Sequence, residues 1–167
     1  MTILAALNAR NKSKKGQRIE LSLYNTSLSM LINVASNYLV GKVQPKRYGN
    51  GHPNIVPYSD FQCSDGFIAI AVGNDNQFTR LAKCLGHSEW AENDLYKTNS
   101  NRVINRDDIE QKITSVLLTK PVKNWLVLLE TQGIPCSKIN SVSEALDSTQ
   151  ADVNKMVLEQ DHPTVGK

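Results

Sequence analysis

Nothing in this sequence approaches the roughly 18 consecutive apolar residues that a membrane-spanning helix needs, so no membrane partner is expected. No secretory leader is legible either. Met1-Thr2-Ile3-Leu4-Ala5-Ala6-Leu7 begins apolar with no basic stretch before it, and Arg10, Lys12, Lys14 and Lys15 follow in the wrong order. Cysteine is scarce: Cys63, Cys84 and Cys136 are odd in number and far apart, which speaks against a disulfide framework and against a Cys-x-x-Cys metal site. Each is expected to pack as a small hydrophobe in a reducing compartment, with the cytoplasm as the expected location. His87 and His162 have no metal-ligand spacing around them. Repeats and low-complexity tracts are absent. Charge of one sign is weak: the formal net charge is +3, much of it in the Arg10–Arg18 segment. That segment has no interleaved aromatics and no nucleic-acid motif, so it reads as a solvated loop and no nucleic-acid partner is expected.

What is present is ordinary globular composition, 40% hydrophobic and 21% charged over 167 residues. That length suits one domain or one and a half. Ile3, Leu4 and Leu7 among alanines give a helical stripe, and Gly16 offers the positive φ of a helix exit. Over Arg18 to Tyr24, Ile19, Leu21 and Leu23 alternate with polar residues, which predicts a strand. Asn25, Thr26 and Ser27 offer caps for a second helix with Leu28, Leu31, Ile32, Ala35 and Leu39 along one face, ending at Gly41. Residues 1–41 thus read as a helix-strand-helix remnant of a larger α/β domain.

From Lys42 to Pro57 the composition shifts to Pro45, Pro53, Pro57, Gly49 and Gly51, which predicts a linker over 42–57. Tyr58–Cys63 and Phe67–Val72 flank Ser64-Asp65-Gly66, a hairpin signal. The second of these runs is apolar on both faces, so helices are expected to cover it. Gly73-Asn74-Asp75 should cap a helix with Phe78, Leu81, Ala82 and Leu85 inward and Gly86 at its end. Ser88–Ala91 reads as a short turn anchored by Trp90. Asn105 should open a helix with Asp107 and Asp108 in its first turn and Ile109, Ile113, Val116 and Leu117 inward. Pro121 should open another, with Val122, Trp125, Leu126 and Leu129 inward and Gly133 as its stop. Ile134–Ile139 is expected to be extended, Ser141-Val-Ser-Glu144 is a capping box, and Met156–Leu158 reads as a last strand. The fold class is therefore α/β. Residues 58–160 form a small α+β domain, an antiparallel sheet packed with helices, and 161–167 start a return linker.

Several stretches, in this order, resemble family III CoA-transferases, the CaiB/BaiF group. They are Ile3-Leu-Ala-Ala-Leu7 with Lys15-Gly-Gln-Arg-Ile-Glu-Leu-Ser-Leu23, and then the loop Gly49-Asn50-Gly51-His52-Pro53-Asn54-Ile55-Val56-Pro57-Tyr58. Asp65-Gly-Phe-Ile-Ala-Ile-Ala71 with Gly73-Asn74-Asp75 and Phe78 follows, then Gly133-Ile-Pro-Cys136 and His162-Pro163. The resemblance covers essentially the whole chain. It implies a two-domain subunit, an interlocked homodimer or self-association, and transfer of CoA between carboxylic acids. Acyl-CoA and a carboxylic acid would be the substrates, coenzyme A would enter as a substrate, and no cofactor would be tightly bound. α-Methylacyl-CoA racemases resemble the same pattern, so the reaction stays open between the two.

In such enzymes an aspartate attacks the acyl-CoA thioester, because the resulting mixed anhydride must itself be a reactive acyl donor. The resemblance places that aspartate upstream of Met1, so the chain alone is expected to be inactive, with no catalytic residue of its own. A stand-alone interaction or acyl-recognition module is the alternative. Asp60, Asp65 and Asp75 read as turn and cap residues. By composition Gly49, Asn50, Gly51 and His52 are an interdomain turn; the resemblance makes them the substrate loop, which would fold over the acyl group and shield it from water. His52 would donate a hydrogen bond to an acyl carboxylate. Cys136 has no legible His/Asn partners and is expected to pack.

Overall fold

A computed structural model describes residues 1–161, 163, 164 and 166, leaving His162 of the expected His162-Pro163 signature outside the described residues. The chain divides into two units, Met1–Arg47 and Tyr48–Lys167.

In the first unit, α1 spans Thr2–Ser13, α2 Leu23–Ser29 and α3 Ile32–Leu39. The exits differ from expectation. Lys14 (φ 58°) and Lys42 (φ 55°) adopt the left-handed conformation in place of Gly16 and Gly41. Lys14 closes α1 by donating its N–H to the Arg10 carbonyl at 2.8 Å. The strand expected over Arg18–Tyr24 does not form. Residues 14–22 carry no regular structure, and Ser22 accepts from Asn25 N to open α2 inside the expected strand. Alternation marks a strand only where a neighbour pairs with it, and no strand lies in this unit among the described residues. The long second helix is likewise two short ones, broken at Met30–Leu31. No side chain here is fully buried: Leu23 is 89% and Ile32 72% exposed.

The second unit is built on β1 (Tyr58–Gln62), β2 (Phe67–Ala71) and β3 (Cys136–Lys138), antiparallel in the order β1-β2-β3. Tyr58 pairs with Ala71, Asp60 with Ala69, and Ala69 with Ser137. Since paired residues share a face and the side-chain period is two, Phe61, Ile68, Ile70 and Cys136 point one way. Tyr58, Asp60, Ala69, Ala71 and Ser137 point the other. The first face carries the core. Against it lie α6 (Arg106–Leu117) and α7 (Val122–Thr131), with α4 (Asp75–Cys84) packed on α7; together the three bury Phe78, Leu81, Ile109, Ile113, Leu117, Trp125 and Leu129. Each such side chain contributes roughly 1.5–3 kcal/mol of transfer free energy. Val116 and Leu126 pack at the edge of this core. Cover on both faces of β2 was expected. Among the described residues helices take the isoleucine face, and the alanine face lies half-exposed.

Local signals explain the element ends. Asn74 accepts from Gln77 N at 2.9 Å, and Gln77 Oε1 accepts from Gly73 N at 2.7 Å, a reciprocal cap on α4. Gly86 (φ 82°) and Gly133 (φ 64°) follow the ends of α4 and α7. Asp65, in the hairpin loop, accepts from Val122 N at 2.8 Å, so a residue 57 positions away caps the helix that Pro121 opens. The capping box of α8 (Val142–Leu146) has both hydrogen bonds. Trp90 is buried in the 3-10 turn Ser88–Ala91, stacked on His87 at 4.4 Å. Two helices escape the sequence pattern, α5 (Asn99–Ile104) and α9 (Thr149–Val153). Met156–Leu158 forms no strand.

Candidate functional site

The alanine face of the sheet floors a trough of about 310 Å³. Ala69 and Ala71 make its floor because their side chains end at Cβ, and Tyr58, Asp60, Ser137 and Ile139 stand around it. Asn50, from the loop preceding β1, lines the same trough. The structure thus brings one of the four expected loop residues to the trough. Gly49 and Gly51 flank Asn50 in the turn, and His52 follows.

The geometry of the turn accounts for its glycines. Gly49 has φ 61°, which a side chain rarely adopts, and no atom lies near its absent Cβ. Gly51 is different: a Cβ there would lie 3.1 Å from the Tyr48 carbonyl oxygen and 3.4 Å from Arg106 Nη1. Its amide closes the turn by donating to Tyr48 O at 3.0 Å. His52 N donates to Tyr58 O at 2.8 Å, which ties the turn to the start of β1. The His52 ring lies 5.3 Å from that of Tyr58, and its Nδ1 accepts from Asn54 N at 3.1 Å. An accepting Nδ1 assigns the proton of the neutral ring to Nε2.

Behind the turn stands a row of polar side chains that sequence reasoning missed. Arg106, at the start of α6, donates from Nη2 to His52 O at 2.7 Å and to Pro53 O at 3.2 Å. Its guanidinium carbon lies 5.9 Å from the Tyr48 ring centroid, and Nη1 pairs with Glu110 Oε1 at 3.3 Å. Asn99 donates from Nδ2 to Asn54 O at 2.8 Å and accepts from Val56 N at 3.1 Å. Arg102 is wholly buried. It donates from Nε to Val56 O and from Nη1 to Tyr96 O, both at 2.7 Å, pairs with Asp75 at 2.8 Å and lies over the Phe78 ring at 4.3 Å. Burial pushes the Glu110 carboxyl up. Arg106 opposes that push, and the charges of Asp107 and Asp60 add to it. The legible signal was the Arg106–Glu110 spacing of i, i+4 on a helix, which is equally common on solvated faces.

Of the three carboxylates expected at turns and caps, Asp65 caps α7 and Asp75 sits in the first turn of α4. Asp60 lies in mid-strand, accepting from Ser59 Oγ at 3.3 Å. Cys63 is buried, and Cys84 and Cys136 are half-buried. Burial and the charge of Glu130 push the Cys136 thiol up, away from the thiolate a nucleophile needs. Among the described residues no group of three or more His, Cys, Asp or Glu could hold a metal ion, and no helix is long and apolar enough to cross a membrane.

A family model, CoA-transferase family III, matches residues 1–167. The chain belongs to that family. The mouse succinyl-CoA:glutarate CoA-transferase is 37% identical over 165 residues, covering 99% of this chain and 38% of the mouse protein. An Agrobacterium fabrum succinate–glutarate CoA-transferase is 36% identical, over 98% of this chain and 41% of its own length. Among solved structures, a CaiB/BaiF family protein from Brucella suis superposes with a TM-score of 0.70 at 37% identity, covering 93% of this chain and 41% of its own. A Mycobacterium tuberculosis protein reaches a TM-score of 0.80 at 18% identity, a likeness of fold alone. The family III chain described here spans about two fifths of the length of these relatives.

Proposed function

We propose that this chain is the acyl-side portion of an enzyme that moves CoA between small carboxylic acids. Its glycine turn, Gly49-Asn50-Gly51-His52, would close over the acyl group. The observation that carries the reading is the position of that turn beside the trough on the alanine face of the sheet. A floor of alanines leaves room for an aliphatic acyl chain, and the Asn50 amide, which lines the trough, can donate to a carboxylate oxygen. Names of relatives at 36–37% identity direct the first trials to succinate and glutarate as the exchanging acids.

The chemistry asks little else of this unit. A carboxylate elsewhere in the enzyme attacks the thioester, expelling CoA thiolate and forming a mixed anhydride. The thiolate attacks the enzyme-side carbonyl of the anhydride, so the first acid leaves as its carboxylate and an enzyme thioester forms. The second acid's carboxylate attacks that thioester and expels the thiolate. The thiolate then attacks the acyl carbonyl of the new anhydride, releasing the second acid as its CoA thioester and restoring the enzyme carboxylate. Water must be kept from the anhydride meanwhile, and a closing turn does that. Asp65 and Asp75 are engaged at helix starts and Asp60 accepts from Ser59, so we assign the nucleophile to none of these three, and residues 1–167 alone are not expected to turn over. The exposed apolar side chains of the first unit are expected to drive self-association of the isolated chain.

The test begins with the intact mass of the source protein against the 18.5 kDa of this sequence. A longer species, incubated with succinyl-CoA and glutarate, should form glutaryl-CoA. Replacing Gly49, where nothing crowds an added side chain, with valine should cut that rate through the turn's φ of 61°. Absence of CoA exchange from succinyl-CoA to any short mono- or dicarboxylic acid would end the proposal.

A further inference from the structure

The glycine turn need not be free to swing as a whole. From His52 onward its backbone is held at successive points: His52 N on Tyr58 O, His52 O and Pro53 O on Arg106, Asn54 O and Val56 N on Asn99, and Val56 O on Arg102. Three side chains of the α5–α6 segment therefore grip one side of the loop. None of those three side chains hydrogen-bonds the backbone of Gly49–Gly51 among the described residues; the turn there is closed by Gly51 N on Tyr48 O, and Tyr48 itself carries the Arg106 guanidinium 5.9 Å from its ring centroid. Arg106 is the member nearest the tip. Its guanidinium sits where a Cβ of residue 51 would point, 3.4 Å away, with its side chain only 11% exposed. A planar fork can serve two carbonyls and one carboxylate at once, which an ammonium cannot. Glu110, 23% exposed, neutralises it in place.

We infer that Arg106 is a positioning residue that fixes the hinge of the glycine turn at His52, so that only Gly49–Gly51 moves over the trough. It thereby sets how much of the acyl intermediate is lost to water. This rests on the proposed reaction. When water attacks the acyl carbonyl of the anhydride, the C–O bond to the enzyme breaks. The acid leaves, a proton goes to solvent and the enzyme carboxylate is regenerated with no thioester formed. Transfer instead ends with CoA sulfur bonded to the second acid. A loose hinge changes the ratio of the two outcomes; a loss of folded protein scales both alike.

The experiment uses the full-length protein with Arg106→Gln, Arg106→Lys and Glu110→Gln, and measures acyl-CoA hydrolysis against CoA transfer. The ratio of hydrolysis to transfer should rise about tenfold or more in R106Q, as expected when a closing element is misplaced by an ångström or so. R106K should lie between R106Q and wild type, since it keeps the charge and loses the fork. E110Q should raise the ratio less than R106Q. A ratio within twofold of wild type in R106Q, with both rates lowered together, would overturn the assignment.

A second readout does not depend on turnover. In this chain R106Q should speed hydrogen exchange at the amides of Gly51 and His52 by about tenfold, the loss expected for charge-assisted bonds, with Ile68 and Ile70 unchanged. Unchanged exchange at Gly51 and His52 would refute the hinge whatever the enzyme does. Faster exchange in a protein that transfers no CoA would leave the hinge standing and sink the reaction.

Discussion

Replacing Arg102 with methionine removes a wholly buried side chain that donates to two carbonyls while nearly preserving its volume. Its cost can be worked from the contacts. Val56 O and Tyr96 O would each lose a donor at 2.7 Å in a place that water does not reach, about 1–3 kcal/mol apiece. The guanidinium over Phe78 contributes about 0.5–2 kcal/mol more. The ion pair adds little, because Asp75 is 53% exposed and stays solvated without its partner. Against these stands relief from burying a charge, the same desolvation that pushes the Arg102 guanidinium down from its ordinary value. The balance is a loss of about 2–4 kcal/mol, out of the roughly 6–18 kcal/mol expected of a unit this size. Urea unfolding followed by tryptophan fluorescence reads it cleanly, since Trp90 and Trp125 both lie buried in this unit. At an m-value of about 1–3 kcal/mol per molar, the midpoint should fall by about 0.7–4 M. Asp75→Asn should move it far less. An R102M midpoint equal to or above wild type would mean that the buried charge costs as much as its bonds return, and the account of the loop anchor would be wrong.

Two further outcomes follow from local geometry. Gly49→Asn should be nearly neutral in a thermal melt, because asparagine tolerates a φ of 61° and nothing crowds the site. Gly51→Ala should lower the melting temperature by more, since its Cβ meets the Tyr48 carbonyl and the Arg106 guanidinium; the opposite order would refute the packing of the turn. Glu144 is held down to about 2, first by its hydrogen bond with Lys138 and then by the Ser141 amide and hydroxyl. Its contribution to the cap of α8 is therefore complete above the ordinary value of 4.5 and is lost as pH falls toward about 2. Amide exchange at Ser141 and Glu144, corrected for intrinsic rate, should accelerate across that window in wild type and show no such step in Glu144→Gln.

What could be read in advance follows from the range of the interactions. Asn74, Ser141 and Gly133 announce helix ends because cap and exit are settled within a few residues, and the structure places all three there. Hairpin strands and inward stripes were legible for the same reason, each having a period of its own. The strand expected at Arg18–Tyr24 shows the limit of a period: alternation describes a face, and a face becomes a strand only when another backbone accepts its hydrogen bonds. Asp65 was read correctly as a turn residue, yet its work on Val122 N, 57 positions away, has no mark in the local pattern. Arg102 and Arg106 were passed over because a buried arginine and a solvated one share a letter, and only the carbonyls around them tell the two apart.

The trough makes the same point for the proposed site. In Phe67-Ile-Ala-Ile-Ala71 the alanines count as apolar and predict cover on both faces. Their decisive property is size, because side chains that end at Cβ leave a space where isoleucine would fill it. The alternation that builds the core on one face therefore leaves a floor on the other. The glycine turn lies beside that floor because His52 is tied to Tyr58 at the start of the strand pairing with Ala71. Trough and core are two faces of one sheet, which is why a change in the register of β2 would destroy both together.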